Sequence, residues 1–313
     1  MSPPGHFPVL PAETLAALDP KPGEVYLDCT AGLGGHAAAV GARLGPTGTV
    51  VLTDLDAGNL SSAKARVEAL PHAPCVVTIH ANFAEAPRRL VELGLSANTV
   101  LADLGFASTQ VDDPARGFSF QREGPLDMRL DASPGKQSAA HLVNTLPECE
   151  LADILHEFGE ERASRAIAAK IVAERKTSPI LTTTRLAEIV RACVRVPPGP
   201  KRGIDPATRT FQALRIAVND EMGSLRAILD SVSRAAARLR APTTQPLWLT
   251  PGARVALIAF HSLEDRPVKQ AFADLVERGL AAPLGKRPTE AGEDERARNP
   301  RSRSAKLRAI QIL

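Results

Sequence analysis

Apolar and polar positions in the first hundred residues follow two alternating periods. Val25-Tyr-Leu-Asp28, Thr49-Val-Val-Leu-Thr-Asp54, Val76–Ile79 and Thr99-Val-Leu-Ala-Asp103 are short apolar runs, three of them ending in an acid. Between them, Ala37–Leu44 and residues 58–70 carry helical patterns, and Gly45-Pro-Thr-Gly48 reads as a turn. Strands alternating with helices predict a parallel sheet covered on both faces. Right-handed crossovers then bring the strands' C-terminal ends to one edge, where ligands bind in such sheets.

After Asp103 the pattern changes. Residues 105–150 are rich in Gly, Pro, Asp and Arg and show little periodicity. Leu151, Ile154, Leu155, Phe158, Ile167, Ile171 and Val172 fit one helical stripe, and Leu186, Ile189, Val190, Cys193 and Val194 another. Val196-Pro-Pro-Gly-Pro200 ends the second. One long helix is expected over about 210–239, then strands at Arg254–Phe260 and Lys306–Leu313. Because α/β features return late in the chain, residues 111–208 read as a mainly helical domain inserted into a discontinuous first domain, 1–110 and 209–313. Segment 283–304, charged and holding three prolines, is expected to be an exposed loop. The expected fold class is α/β, with a Rossmann-like sheet and a helical insertion.

Composition narrows the classes. A length of 313 residues suggests about two domains. With 44% hydrophobic and 23% charged residues, disorder is excluded as the dominant state. Apolar runs such as Val255–Phe260 fall far short of the ~20 residues of a membrane span. The start, Met1-Ser-Pro-Pro-Gly-His6, lacks a basic region and an apolar core, so export is not expected and the cytoplasm is. Cys29, Cys75, Cys149 and Cys193 stand far apart, so neither a metal site nor a disulfide framework is expected. The net charge of +3 hides 29 Arg against 9 Lys, which permits a nucleic-acid partner without demanding one.

Candidate chemistry gathers at the strand ends. Asp28-Cys-Thr-Ala-Gly32-Leu-Gly34-Gly35-His36 lies at a strand-to-helix turn, where glycines permit φ > 0 and close approach of a ligand. Asp54, 22 residues past Gly32, is placed to accept hydrogen bonds from ribose hydroxyls. The turn also satisfies G-x-G-x-x-A, which leaves a nicotinamide dinucleotide open, as well as a purely structural turn. Asp103 ends the fourth strand on the same edge, able to orient an amine and take its proton or merely to cap the next turn. Arg116-Gly-Phe-Ser-Phe120 imitates an RNA-recognition-motif strand but departs from it at Ser119, without the surrounding four-stranded pattern.

Four longer stretches carry a more specific signal: the run from Asp112 to Phe120, Gly124-Pro-Leu-Asp-Met-Arg129, Pro206–Arg215, and Phe260-His-Ser-Leu-Glu-Asp-Arg266. With Gly34-Gly-His36, they make the chain resemble the bacterial RsmH (MraW) family over nearly its whole length, from His6 to Arg303. The resemblance implies a class I methyltransferase domain interrupted by a helical domain. It implies S-adenosylmethionine as cofactor, N4-methylation of a cytidine in the decoding region of 16S rRNA, and the small ribosomal subunit as partner. The chain could act alone or as a homodimer. Carried across, the family's cofactor contacts fall on Gly34, Gly35, His36, Asp54, Phe83, Asp103 and Gln110. Read alone, Phe83 is more often a core residue and His36 a helix-start histidine.

Asp103, or a neighbouring carbonyl, is the candidate that meets the N4 amine. His261, Glu264 and Asp265 follow the strand 254–260 on the same edge as candidates for catalysis or base recognition, against the alternative of a polar network tying sheet to helix. Arg209 and Arg215 could contact phosphate or pair with Glu221 and nearby acids. The chain departs from the family pattern in Gly105-Phe-Ala-Ser-Thr-Gln110, usually G-V-S-S-P-Q, in Asp205, usually histidine, and in Pro267, usually aliphatic. Two other classes compete: a nicotinamide oxidoreductase at the same turn, and a ribosome-binding protein that has lost catalysis, which intact Asp54 and Asp103 oppose.

Overall fold

In the computed structural model, which describes residues 8–106, 108–194, 205–242 and 244–313, seven strands form one sheet. They are β1 (Val25–Asp28), β2 (Thr49–Asp54), β3 (Cys75–His80), β4 (Ala97–Asp103), β5 (Leu249–Ala259), β6 (Ala281–Pro283) and β7 (Lys306–Ile312). Their order is β3-β2-β1-β4-β5-β7-β6. The five from β1 to β5 pair in parallel, whereas β7 runs antiparallel to both β5 and β6. The central strands are apolar almost without interruption because helices cover both faces. The helix-covered parallel sheet is what the alternating pattern predicts, and a sheet of this class is what the resemblance implies.

The helices up to the middle of the chain are α1 (Pro11–Leu18), α2 (Gly35–Leu44), α3 (Ala57–Glu68), α4 (Ala86–Glu92), α5 (Ser108–Asp112), α6 (Ala139–Thr145) and α7 (Glu148–Gly159). Then come α8 (Ser164–Arg175), α9 (Thr183–Cys193), α10 (Ala207–Asn219), α11 (Glu221–Leu239), α12 (Ser262–Glu277) and α13 (Glu293–Arg298). The chain folds into two compact units, one from the N-terminus to Gly105 and from Met222 to Leu313, the other from Phe106 to Glu221. The first is centred on Tyr26, Leu52, Leu101 and Ile258, with Leu18, Val40 and Leu44 packed on them. The second has its own core of Leu151, Leu155, Ile167, Ile171, Leu186, Val190, Phe211 and Leu214.

These boundaries differ from the expected 110/111 and 208/209. Phe211 and Leu214 put α10 into the core of the helical unit, so the division falls after α10 and not before it. The long helix expected over 210–239 is two helices. Asp220 adopts a left-handed φ of 46°, and its N–H turns back to the carbonyls of Ile216 and Ala217. The stripe from Leu151 to Val172 is likewise cut by Glu160, at φ 48°. Segment 283–304 is no simple loop: it contains α13, a 3-10 turn over Pro300–Ser304 and a bridge from Thr289 to Leu307, with Ala291 and Ser302 buried. Local charge disguised it, because its buried positions, Ala291 and Ser302, form no periodic face of their own. The break expected at Val196–Pro200 lies outside the described residues.

The aperiodic stretch of the helical unit is held by side chains and close backbone contact. The Arg116 guanidinium donates to the carbonyls of Arg129 and Leu130, each at 3.1 Å, and Arg129 grips Asp127 through Nε at 2.8 Å and a terminal nitrogen at 2.7 Å. Gly117 has φ 72°, and a Cβ there would stand 2.1 Å from the Pro125 carbonyl oxygen. Two of the long sequence matches, the RGFSF run and GPLDMR, are thus sewn to one another. No helix among the described residues is long and apolar enough to cross a membrane.

Candidate active site

The strand order reverses between β1 and β4, and the crevice outside such a switch point is where α/β sheets bind ligands. β1, β2 and β4 end there in Asp28, Asp54 and Asp103. Leaving β1, the chain turns through Thr30–Gly34: the Ala31 N–H donates to the Thr53 carbonyl at 2.9 Å, and the Gly34 N–H to the Ala31 carbonyl at 2.8 Å. Gly34 then starts α2 at φ 75°. A Cβ on Gly34 would lie 2.7 Å from Ala63 Cα on α3, and one on Gly35 would lie 3.1 Å from Pro8. Packing against protein therefore already demands glycine at Gly34, whereas a side chain at Gly35 would need Pro8 to give way by a few tenths of an ångström. Gly32, at φ 49°, borders open space, with nothing nearer a built Cβ than the Thr30 carbonyl oxygen at 3.8 Å.

The turn leaves donors and acceptors to spare. α2 has no side-chain cap, so the N–H groups of its first turn offer an anion site reinforced by the helix dipole. Asp54 accepts the Gly32 N–H on Oδ2 and the Asp56 N–H on Oδ1, both at 2.8 Å. Burial pushes its carboxyl up to about 6 against those bonds. The Asn59 side chain engages it as well, and the carboxylate keeps a lone pair for a further donor. Asp56 caps α3 through the N–H groups of Gly58 and Asn59. Phe83 lies in a 3-10 turn after β3, half-buried, and so is not enclosed in the core. Asn82 sets that turn, accepting the Ala84 N–H at 2.9 Å and donating to Ser224 Oγ on α11 at 2.7 Å.

Asp103 is the focus. Its N–H donates to Thr30 Oγ1 at 2.7 Å, its Oδ2 lies 3.6 Å from His36 Nε2, and its Oδ1 is buried without a partner among the described residues. His36 is itself buried at the first turn of α2. Burial works against a charged imidazole there, but Asp103, then Asp28 and the Val9 carbonyl, outweigh it and raise the group above its ordinary value. Sequence reasoning pointed to His36 and Asp103 separately; that they form a pair was not visible in it.

The other candidates stand differently. Gln110 is buried on α5 in the helical unit. His261 is the N-cap of α12, and Glu264 Oε2 accepts the N–H groups of Phe260 at 2.7 Å and His261 at 3.4 Å. Asp265 is clasped by Arg308 on β7, at 2.7 and 3.1 Å, with Lys306 at 3.7 Å. Arg308 chiefly, and Lys306 with it, hold the Asp265 carboxyl below its ordinary range. For Glu264 and Asp265 the polar network tying sheet to helix is what the structure contains. In the helical unit, Arg215 pairs with Glu221 through two bonds of 2.8 Å, and Arg209 donates to the Glu160 carbonyl at 3.3 Å. Asp205, the departure before Pro206, pairs with Arg191 at 2.9 Å.

The residues present fit a nucleoside bearing an amino-acid tail: a carboxylate for ribose hydroxyls, an uncapped helix start for an anion, and an orphaned buried oxygen for a cation or amine. A model of the MraW methylase family matches residues 4–313. The chain is 44% identical over 309 residues to "Ribosomal RNA small subunit methyltransferase H" of Koribacter versatilis, covering 97% of this chain and 93% of that protein. It is 45% identical to the proteins of the same name from Halorhodospira halophila and Deinococcus radiodurans, covering 98% of this chain in both cases and 94% and 90% of theirs. Among solved structures, a putative rRNA-methylase from Clostridium thermocellum aligns over 99% of this chain and 100% of its own, at 11% identity and a TM-score of 0.44. That likeness is too loose to add to the strand order. The nicotinamide reading left open by the glycine turn falls away, for the chain belongs to the MraW methylase family.

Proposed function

We propose that this protein uses S-adenosylmethionine to methylate N4 of one cytidine in the decoding region of 16S rRNA, acting in the cytoplasm on the small ribosomal subunit. The relatives' shared name supports the substrate class, and the family resemblance supports the atom and position. The observation that carries the reading is Asp103: a carboxylate at the switch point with one oxygen beside His36 and the other buried and unpartnered.

When bound, the cofactor supplies an electrophilic methyl group on a sulfonium. The protein's part is placement. Gly35 and His36 at the start of α2 face the amino-acid portion with their N–H groups, Gly34 gives the backbone the turn that aims them, Asp54 takes the ribose hydroxyls, and Phe83 offers a ring face to the adenine. Asp103 Oδ1 accepts an N–H from the exocyclic amine, increasing density on nitrogen, and stands ready to hold the proton that must leave. Fixing nitrogen in line can supply much of the acceleration. N4 is hidden by pairing and stacking, so the base must be unpaired or flipped. We assign RNA recognition to the helical unit, from Phe106 to Glu221, whose arginines suit phosphate.

The test is methylation of purified, undermethylated small subunits with labelled cofactor, followed by nucleoside analysis. Label in N4-methylcytidine is the expected result. Label in another nucleoside, or none, overturns the reading.

A further inference from the structure

A second layer lies beneath the proposed site. On β1, Tyr26 and Asp28 are 0% and 1% exposed. The Tyr26 hydroxyl donates to Asp28 Oδ2 at 2.9 Å, and the Thr30 N–H donates to Asp28 Oδ1 at 3.1 Å. The same Thr30, through Oγ1, receives the N–H of Asp103. Asp28 thus joins Asp103 through a single intervening residue on the backbone side. On the side-chain side, its charge bears on His36, the imidazole beside Asp103. A carboxylate at this depth opposes folding unless something needs it. Leu27 and Leu101, its buried neighbours in the sheet, show what the sheet alone would accept.

We propose that Asp28 is a positioning residue of the methyl-transfer site, acting through Thr30, which bonds both Asp28 and the backbone of Asp103, to hold the Asp103 carboxylate beside His36 with Oδ1 left for the acceptor amine. The proposal rests on the reading of Asp103 given above. Burial pushes the Asp28 carboxyl up to about 6, and His36 is the strongest influence drawing it back down. Each group favours the charged form of the other, and the His36 imidazole lies 3.6 Å from Asp103. The groups bearing on His36 are Asp103 of β4, Asp28 of β1 and the Val9 carbonyl ahead of α1. Tyr26 engages Asp28. From α3, Arg66 reaches only the Leu33 carbonyl, at 3.5 Å, and at the end of β2 Asp54 accepts from Gly32 and Asp56.

The experiment compares the full-length parent, Asp28→Asn and Tyr26→Phe. Three readouts are taken: nitrogen-detected NMR titration of the His36 ring, calorimetry with S-adenosylmethionine, and the pH profile of kcat on small subunits at saturating cofactor. In Asp28→Asn, His36 is expected to lose its proton about one pH unit or more lower. The pH above which kcat declines should move down with it, while KM for the cofactor changes less. Tyr26→Phe, which removes one hydroxyl and no charge, should move both in the same direction by less, and it decides the matter if Asp28→Asn does not fold. A folded Asp28→Asn whose kcat and pH profile match the parent's, with methylation of the subunit intact in the parent, overturns the role of Asp28 and leaves the functional reading standing. A parent that neither binds the cofactor nor methylates the subunit overturns that reading and the proposal with it, whatever His36 does.

Discussion

His36 Nε2 and Asp103 Oδ2 lie 3.6 Å apart, one at the start of α2 and the other at the end of β4. The contact occupies one side of a carboxylate whose other oxygen is buried and unpartnered. An isolated buried acceptor of this kind costs free energy in the resting protein. It becomes useful when a donor arrives, which fits an amine-binding role better than a turn cap.

Asp103→Asn keeps the shape and removes the charge. At saturating cofactor, kcat on small subunits is expected to fall about a hundred-fold or more, as for loss of a positioned acid–base group. Cofactor affinity should weaken as well. Steady-state kinetics together with calorimetry separate the two effects. Full activity at ordinary cofactor concentration would refute both roles.

Asp54→Ala should weaken S-adenosylmethionine binding roughly ten- to a hundred-fold, the worth of a charge-assisted hydrogen bond. The fold should survive, because the Gly32 and Asp56 N–H groups can reach water at a half-exposed turn. The pH dependence has a definite sign. Burial raises the carboxyl to about 6, so below that pH the free protein holds a proton that ribose binding must displace. Affinity should therefore fall by about ten-fold per pH unit below 6, and this dependence should vanish in the variant. Calorimetry between pH 5 and 8 (conditions chosen on the order of the carboxyl's range) checks it.

Arg308→Ala tests whether Asp265 is structural. The pair is 18% and 14% exposed, so removing Arg308 strands a largely buried carboxylate, at a cost of about 1–3 kcal/mol. Urea unfolding should show the loss at neutral pH, with kcat on small subunits retained. Because Arg308 holds the Asp265 carboxyl below its ordinary range, the pair's contribution is present above that range. It is lost as pH falls through the depressed value, and the gap between parent and variant should close in acid. A normal unfolding midpoint with a collapsed kcat would return Asp265 to the catalytic candidates.

If the helical unit reads RNA through phosphates, methylation of small subunits or their rRNA should weaken steeply as salt rises, and free cytidine should not be methylated. Replacing Phe106–Glu221 by a short flexible linker should abolish RNA methylation while the sheet unit, which has its own core, still binds S-adenosylmethionine. A truncated protein that methylates the subunit at a normal rate would move RNA recognition to the sheet unit.

Much of this was legible before any coordinates. The strands ending in Asp28, Asp54 and Asp103 show themselves because a doubly covered parallel strand must be apolar throughout, and an acid at its end breaks the run. The glycine turn and the spacing to Asp54 follow from the same local rules. The short helices α1, α4 and α6 were missed because eight residues or fewer give little period to read. The break at Asp220 was missed because an aspartate in left-handed conformation leaves the apolar spacing on either side almost in phase.

What the sequence by itself determined is the class of the sheet, the edge at which its strands end in acids, and the family, all of which depend on periodicity and on ordered motifs along the chain. Only the tertiary structure decided what each polar side chain spends its bonds on. It set His36 against Asp103, gave Asp265 to Arg308 and Arg215 to Glu221, and put Ala63 where a side chain on Gly34 would have to go. The reason is physical: a carboxylate's partner is whatever donor the fold brings within about 3 Å, and that distance carries no signature in residue spacing when the donor arrives from another strand or helix.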